Sequence, residues 1–242
     1  MSQTAGRALD LLEHIAWSEE SLALAELTVA VGIDKTTASR LLKFLQDRML
    51  ITRDPRSKRY SVGPRLLGLS AAAMHRFDFL SLVMPILGQL RDETGETASV
   101  HVRVGNERIC LAGQESLQPV RRVLPLGQAT RLWVGPASKV ILAFAADSRE
   151  LMAEAAAAGS DVVHLESQLE AIRRDGEMIG VGDRTPGVGA IAVPLHRANG
   201  AFGSVSVAGP AERWTPDRMR EFAARIHTSA REIAGILGAR QW

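Results

Sequence analysis

The sequence has very little cysteine and no long apolar run. Cys110 is the only cysteine, which excludes an intrachain disulfide framework and any cysteine-based zinc or iron–sulfur cluster. No apolar segment approaches the roughly 18 residues that a membrane span needs, and the first ten residues, MSQTAGRALD, contain no apolar signal segment. We therefore expect a cytoplasmic protein with no membrane partner. The 242 residues, 46% hydrophobic and 23% charged, suit two globular domains.

Motifs for catalysis and cofactor binding are also missing. The chain has no Gly-x-Ser-x-Gly nucleophile elbow and no His-Glu-x-x-His zinc helix. The glycine-rich segment 180–189 leads into a predicted strand, so it aims no helix N-terminus at a phosphate. Six scattered histidines (14, 75, 101, 164, 196 and 227) are interpreted as surface or interface residues, and Cys110 as a small core residue. We expect no enzyme, no cofactor and no metal site.

The net charge of +2 hides an uneven distribution of charge. Residues 34–65 contain nine Lys or Arg and three Asp, whereas residues 66–242 contain 19 residues of each sign. A basic stretch beside a neutral remainder is typical of a nucleic-acid contact region, although a solvated surface gives the same pattern.

Apolar spacing predicts three helices and a hairpin in the first 63 residues. The helices are expected at 4–17, 24–31 and 35–48, and the strands at 50–53 and 59–62. Gly32 suits the end of the second helix, and Asp34 suits the N-cap of the third.

The third helix has two contrasting faces. Its apolar stripe is Ala38, Leu41, Leu42, Leu45 and Met49. The opposite face carries Thr36, Arg40 and Lys43, with Ser39 on its flank. Arginine and hydroxyl side chains on one helix face suit the DNA major groove, and the preceding helix and basic hairpin complete a winged helix-turn-helix. A small helical subdomain with a wet basic face is the alternative.

The remaining sequence predicts an α+β domain. Helices are expected at 64–75 and 79–93, followed by strands at 98–104 and 108–113. Further helices are expected at 136–145 and 165–175, then a hairpin with strands 189–196 and 201–208 around Asn199-Gly200, and a last helix after Thr215. Such an order indicates a mainly antiparallel sheet with helices packed against it.

Over nearly its whole length the sequence resembles the IclR family of bacterial transcriptional regulators. The similar segments are GRALDLL at 6–12, TTASRLL at 36–42, RYSVG at 59–63, TGET at 94–97, PVR at 119–121, KVILA at 139–143, GVGAIAVP at 187–194, and 200–210. The resemblance implies a winged helix-turn-helix domain at 1–63, a linker helix at 64–77, and a GAF/PAS-like effector-binding domain at 78–242.

The resemblance also implies the residues of two sites. For DNA, pattern and resemblance together nominate Lys35, Thr36, Thr37, Ser39, Arg40, Lys43, Arg56, Lys58 and Arg59. For the effector, the family's positions fall on Arg122, Leu124, Leu126, Pro136, Ala137, Asp183, Ala190 and Ser206. The chain departs from the family at Arg131-Leu132-Trp133, where Pro-Leu-His is common, and at Ala208, where a serine is common. Trp133 is therefore expected to narrow the effector pocket.

The leading hypothesis is a ligand-responsive DNA-binding regulator of a metabolic operon, with a small organic acid as its effector. Its partners would be a pseudo-palindromic operator in double-stranded DNA and a second copy of the chain, with dimers pairing further as one option. The alternatives are a metabolite-binding sensor module whose winged domain contacts protein, and an enzyme. The polar, basic helix face argues against the first alternative, because protein-binding faces are more often apolar or aromatic.

Overall fold

The computed structural model of the chain describes residues 3–18, 20–76, 79–124 and 126–238. Cα proximity divides the chain into two compact units, residues 1–78 and 79–242. Residues 77 and 78, where the predicted linker helix ends and the predicted effector domain begins, lie outside the described residues. Among the helices described, none is both long and apolar enough to span a bilayer.

The first unit consists of four helices and a two-stranded hairpin. Its elements are α1 (Gln3–Trp17), α2 (Leu24–Val31), α3 (Lys35–Asp47), β1 (Ile51–Arg53), β2 (Tyr60–Val62) and α4 (Pro64–Arg76). The predicted helices and strands are confirmed to within two residues at each end. Leu11, Leu42, Leu45 and Tyr60 lie in one buried apolar cluster that joins α1, α3 and the hairpin. Each such side chain stabilises the fold by about 1.5–3 kcal/mol.

The turn between α2 and α3 follows the two predicted signals. Gly32 takes a left-handed conformation, with φ of 65°, and ends α2. The Asp34 carboxylate then accepts a hydrogen bond of 2.9 Å from the backbone N–H of Thr37 and so caps α3. The end of α3 differs from expectation. Met49 was placed on the apolar stripe, but α3 ends at Asp47 and Met49, at a φ of 60°, is 53% exposed.

The second unit is an α+β domain with one antiparallel sheet, which confirms the predicted fold class. Its elements are α5 (Phe79–Thr94), β3 (Thr97–Val104), β4 (Glu107–Gln114), β5 (Ala129–Arg131), α6 (Pro136–Ala143), α7 (Ser148–Ala157), α8 (Val162–Asp175), β6 (Met178–Val181), β7 (Val188–Arg197), β8 (Gly200–Pro210) and α9 (Pro216–Gly238). The strand order is β5-β4-β3-β8-β7-β6, and every pair is antiparallel.

Helices pack against this sheet in two groups. Helices α5 and α9 contact each other; α5 packs on β3 and β4, and α9 packs on β7 and β8. Helix α6 contacts β7, β8 and α8. A buried cluster joins α6, α7 and α8 to Met178 and Ala192 of the sheet. The N-terminus of α6 therefore lies next to the central strands, which is where the cavity described below is found.

Three elements of this unit were not predicted. The strands β5 and β6 are three and four residues long, too short to show an alternating pattern, and β6 contains Gly180. Helix α7 lies in the alanine-rich segment, where four consecutive alanines at its C-terminal end blur the contrast between the apolar and polar faces.

Candidate DNA-binding surface and effector cavity

The outer face of α3 is polar and exposed. Lys35, Thr36, Ser39, Arg40 and Lys43 line a shallow open groove on the surface of the first unit. The opposite face of α3, formed by Ala38, Leu41, Leu42 and Leu45, is buried. Thr37 is half-buried at the capped N-terminus of α3. The helix thus combines a fixed apolar side with a free basic side, which is the geometry that insertion into a major groove requires.

The hairpin β1–β2 presents a structured tip. The Asp54 carboxylate accepts hydrogen bonds from the backbone N–H groups of Arg56 (3.0 Å) and Ser57 (2.6 Å). These bonds lower the pKa of Asp54. Lys58 has a φ of 59°, an uncommon conformation for a residue with a side chain, and both Arg56 and Lys58 are exposed. The turn therefore holds two cations at the end of the wing.

Two of the nominated cations have partners within the protein. Arg59 donates to the carbonyl oxygen of Ser21 at 2.7 Å and forms an ion pair of 2.9 Å with Glu26 of α2. Lys43 forms an exposed ion pair with Asp47, one helical turn away, at 2.9 Å. An exposed pair of this kind is weak and does not prevent Lys43 from binding another anion. Arg59 ties the base of the wing to α2, and its predicted contact with phosphate stays a prediction.

The second unit contains a concave cavity between its sheet and the N-terminus of α6. It encloses about 610 Å³ of space outside the protein atoms, part of which is open to solvent. Its walls come from five strands of the sheet (β3, β4, β6, β7 and β8), from the start of α6, and from the two loops 115–128 and 182–187. Gly135 caps α6 at a φ of 80°, and a Cβ at this position would lie 3.2 Å from the Cβ of Arg184. A glycine therefore lets Arg184 pack over the start of the helix.

A chain of hydrogen bonds crosses the wall of the cavity. Arg108, which is 4% exposed, donates from Nε to the Ser138 hydroxyl (2.8 Å) and from Nη1 to Nδ1 of His101 (2.7 Å). Because Nδ1 accepts, the proton of a neutral His101 ring is on Nε2, which lies 3.0 Å from the Ser99 hydroxyl. The Ser99 hydroxyl then donates to the carbonyl oxygen of Ser206 at 3.4 Å. Arg108 is thus held by its neighbours before any ligand binds.

The electrostatics of these groups follow from burial. Burial, followed by the charges of Arg108 and Arg184, holds the pKa of His101 well below its usual value, so the ring is neutral. Burial and the charge of Arg184 lower the pKa of Arg108 to about 10, while burial raises the pKa of the Cys110 thiol to about 11. Arg108 remains a cation and Cys110 a neutral thiol at neutral pH.

A second charged group lies at the same cavity. The Lys139 ammonium contacts Oδ1 of Asp183 at 2.6 Å, and both side chains are largely buried. The other carboxylate oxygen, Oδ2, is buried and has no hydrogen-bond partner among the described residues. Within the same part of the chain, no three His, Cys, Asp or Glu side chains cluster as metal ligands would. The cavity is therefore suited to an anionic organic molecule that also offers a hydrogen-bond donor.

Comparison with known protein families assigns both units. The IclR helix-turn-helix domain matches residues 4–55, and the domain described as bacterial transcriptional regulator IclR C-terminal matches residues 71–235. The chain belongs to the IclR family. As an IclR-family protein with a helix-turn-helix, it is a DNA-binding transcriptional regulator.

Relatives of this IclR-family chain match it from end to end. The HTH-type transcriptional repressor AllR of Klebsiella pneumoniae is 27% identical over 247 residues, covering 98% of this chain and 90% of AllR. The structure of a putative IclR regulator from a Silicibacter species has a TM-score of 0.83 at 23% identity, covering 97% and 96% of the two chains. An IclR homologue from Microbacterium hydrocarbonoxydans, solved with 4-hydroxybenzoate, has a TM-score of 0.75 at 16% identity, covering 98% and 100%. These two structures share the fold.

The structure brings most of the nominated effector residues of this IclR-family protein to one cavity. Those that line it are Arg122, Leu124, Pro136, Ala137, Asp183, Ala190 and Ser206. Leu126 does not line it and is 55% exposed on the loop. Trp133 does not narrow the cavity, because it packs against the buried cluster of α6, α7 and α8. Trp133 lies two residues before Gly135, the N-cap of α6, and its ring packs on the side of α6 that faces this cluster.

Five charged or polar residues of the cavity were not nominated. They are Ser99, His101, Arg108, Arg184 and Thr185. His101 was interpreted as a surface or interface residue, but it is 5% exposed and lies inside the sheet. A signal was present in the alternation of the strands: Ser99 and His101 lie two residues apart on β3, and Arg108, Cys110 and Ala112 follow the buried period of β4. Arg184 lies in a loop, where no period indicates which way a side chain faces.

Proposed function

We propose that this regulator controls a metabolic operon in response to a small organic acid that binds in the cavity of the second unit. The single observation that carries the choice of ligand is Arg108, a buried cation that lines the cavity without a carboxylate partner among the described residues. A buried charge is costly unless an opposite charge accompanies it, so an acid is the ligand that such a site favours. The Microbacterium structure contains an organic acid, 4-hydroxybenzoate, which supports this class of effector.

For DNA, the proposal divides the exposed residues by their position. Arg40, Thr36 and Ser39 on the outer face of α3 would contact base edges, and Lys35, Lys43, Arg56 and Lys58 would contact phosphates. Thr37 would contribute through its position at the capped N-terminus of α3, where backbone N–H groups attract phosphate. Arg59 would hold the base of the wing against α2 through its ion pair with Glu26.

The proposed assembly is a homodimer, with a dimer of dimers as a further step. Two copies of a winged helix-turn-helix bind the two half-sites of a pseudo-palindrome in double-stranded DNA. A regulator that binds such a site would act in the cytoplasm. The effector acts by binding one arrangement of the two winged domains more tightly than another, because equal affinity for both would shift nothing. Relatives named AllR are repressors, which favours repression as the direction of control.

A mobility-shift assay with DNA from upstream of the protein's own gene tests the DNA-binding half of the proposal. Arg40→Ala should weaken specific binding by about 1–3 kcal/mol and relax the sequence preference. Arg48→Ala is the matched control, since Arg48 follows α3 at its C-cap, where its guanidinium lies over the Phe44 ring. Normal operator binding by Arg40→Ala, or an equal loss in Arg48→Ala, would contradict the assignment of α3.

A further inference from the structure

Three arginines line the effector cavity without a carboxylate partner. Arg108 comes from β4, Arg122 from the loop 115–128 and Arg184 from the loop 182–187. Among the described residues, none of the three guanidinium groups has an Asp or Glu oxygen within ion-pair distance. In the part of the chain that the structure describes, Asp183 is the only acid that lines the cavity, and it is paired with Lys139 at 2.6 Å. Three positive charges are therefore left without compensation from the protein.

Contacts within the domain hold these three arginines at the cavity, so they are more than neighbours on an open surface. Arg108 is 4% exposed and is fixed by its hydrogen bonds to Ser138 and His101. The side chain of Arg184 packs over Gly135 at the start of α6. The backbone of Arg122 is held in place by the Thr97 hydroxyl, which donates to the Arg122 carbonyl oxygen at 2.7 Å. The guanidinium of Arg108, the side-chain carbons of Arg184 and the backbone of Arg122 are thus each held by a different part of the same domain.

The three charges are close enough to repel each other. After burial, the charges of Arg184 and Arg122 lower the pKa of Arg108, and the charge of Arg122 in turn lowers the pKa of Arg184. A ligand with one negative charge compensates one guanidinium and leaves two facing each other. A ligand with two negative charges compensates two and reduces the repulsion on the third.

We propose that the effector is a small dianion, with one anionic group bound by Arg108 inside the cavity and the other bound by Arg122 and Arg184, which are closer to solvent. This inference rests on the proposed function, in that it takes the cavity to be the effector site. Guanidinium groups bind carboxylate and phosphate oxygens through paired N–H donors, so a dicarboxylate and a phosphorylated acid share the chemistry the site requires. The experiment below distinguishes a dicarboxylate from a phosphorylated acid.

The test is isothermal titration calorimetry on the full-length protein at pH 7.5 with matched probes. The dicarboxylates are succinate, glutarate and adipate, and each is paired with its half-amide, which has nearly the same shape and one charge fewer. Phosphoglycolate and 3-phosphoglycerate form the phosphate arm; each has two anionic groups, which together carry close to three negative charges at this pH. We expect at least one ligand with two anionic groups to bind at least tenfold more tightly than its reference with one, which is the half-amide for a dicarboxylate and glycolate or glycerate for the phosphate arm. Tightest binding in the phosphate arm would assign the second anionic group as phosphate.

Variants connect that preference to the arginines. Arg122→Gln and Arg184→Gln should each reduce dianion affinity at least tenfold and shrink the gap between dianion and monoanion. Arg149→Gln, an exposed change on α7 outside the cavity, should change neither. A half-amide or other monoacid that binds as tightly as its dianion would overturn the inference. So would a panel in which no dianion binds, or a preference that both variants keep.

Failure here is distinguishable from failure of the proposed function. Operator binding is measured in parallel by mobility shift, with and without each probe. If the protein binds its operator and a monoacid alters that binding, the proposed function stands and the dianion inference fails. If no specific complex with DNA forms under any condition, the proposed function itself fails.

Discussion

Replacing Arg108 with methionine should stabilise the ligand-free protein while abolishing its response to the effector. Burial, followed by the charge of Arg184, lowers the pKa of Arg108 from its usual value to about 10. Since one pKa unit corresponds to about 1.4 kcal/mol, the charged side chain is disfavoured by about 3 kcal/mol relative to an exposed arginine. Methionine removes this cost and fills similar space, but it also leaves the buried Ser138 hydroxyl and Nδ1 of His101 without their donor, which costs about 1 kcal/mol or more each. The expected net gain is at most about 1 kcal/mol.

Urea unfolding of the full-length protein, monitored by circular dichroism, measures the difference in the free energy of unfolding between the wild type and Arg108→Met. If the two units unfold separately, the difference is measured in the transition of the second unit. The matched control is Arg149→Met, which should change the free energy of unfolding by less than about 0.5 kcal/mol because Arg149 is exposed. Arg108→Met should also lose the rise in stability that a bound ligand gives by mass action. A loss of more than about 2 kcal/mol in the ligand-free variant would refute the reasoning, because it would mean that the charge of Arg108 is already compensated within the ligand-free protein.

Two further predictions concern pH and the wing. Burial lowers the pKa of His101 in the folded protein below the value of about 6.5 that a histidine has in the unfolded chain. Between these two pKa values the unfolded chain binds more protons than the folded protein. The free energy of unfolding therefore falls as the pH drops below about 6.5, by at most about 1.4 kcal/mol per pH unit. His101→Asn should flatten this part of the stability profile and the exposed control His164→Asn should not; equal profiles would exclude His101 as the cause. On DNA, Arg56→Ala should reduce the salt slope of binding by about 1, because Arg56 is free for phosphate. Arg59→Ala should weaken binding with little change in that slope, and a slope reduced as much as in Arg56→Ala would support Arg59 as a phosphate contact.

The first unit could be predicted in detail because its signals are local. The apolar period of α3, the Gly32 turn and the Asp34 cap each depend on residues within one or two helical turns. Where local pattern failed, the cause was also local. The stripe continued to Met49, but the backbone leaves the helix after Asp47, and the left-handed conformation of Met49 turns its side chain to solvent. A spacing rule counts residues and does not detect the end of the helix.

The cavity could be predicted only in part because it depends on contacts between distant segments. Alternation correctly predicted β3 and β4 as strands, but their pairing shifts register between Val100 and His101, so that Val100 lies opposite Ala112 and His101 opposite Cys110. Such an irregularity decides whether Arg108 reaches His101, and nothing in the order of residues indicates where it occurs. Resemblance to the family supplied Asp183 and Ala190 by position, but it could not supply Arg108 or Arg184, which have to be found from the charges that the folded domain brings together.

The uncompensated arginines also explain how a ligand could change the shape of this domain. In the ligand-free protein, repulsion acts between Arg108 on a strand of the sheet and Arg122 and Arg184 on two loops. The strand is fixed by hydrogen bonds on both sides, so the loops are the parts that can yield. We expect an anion bound between the three groups to replace this repulsion with attraction and so to stabilise both loops. The free energy available for the response is the difference in ligand affinity between the arrangements that the domain can adopt, and the buried charge of Arg108 contributes to it.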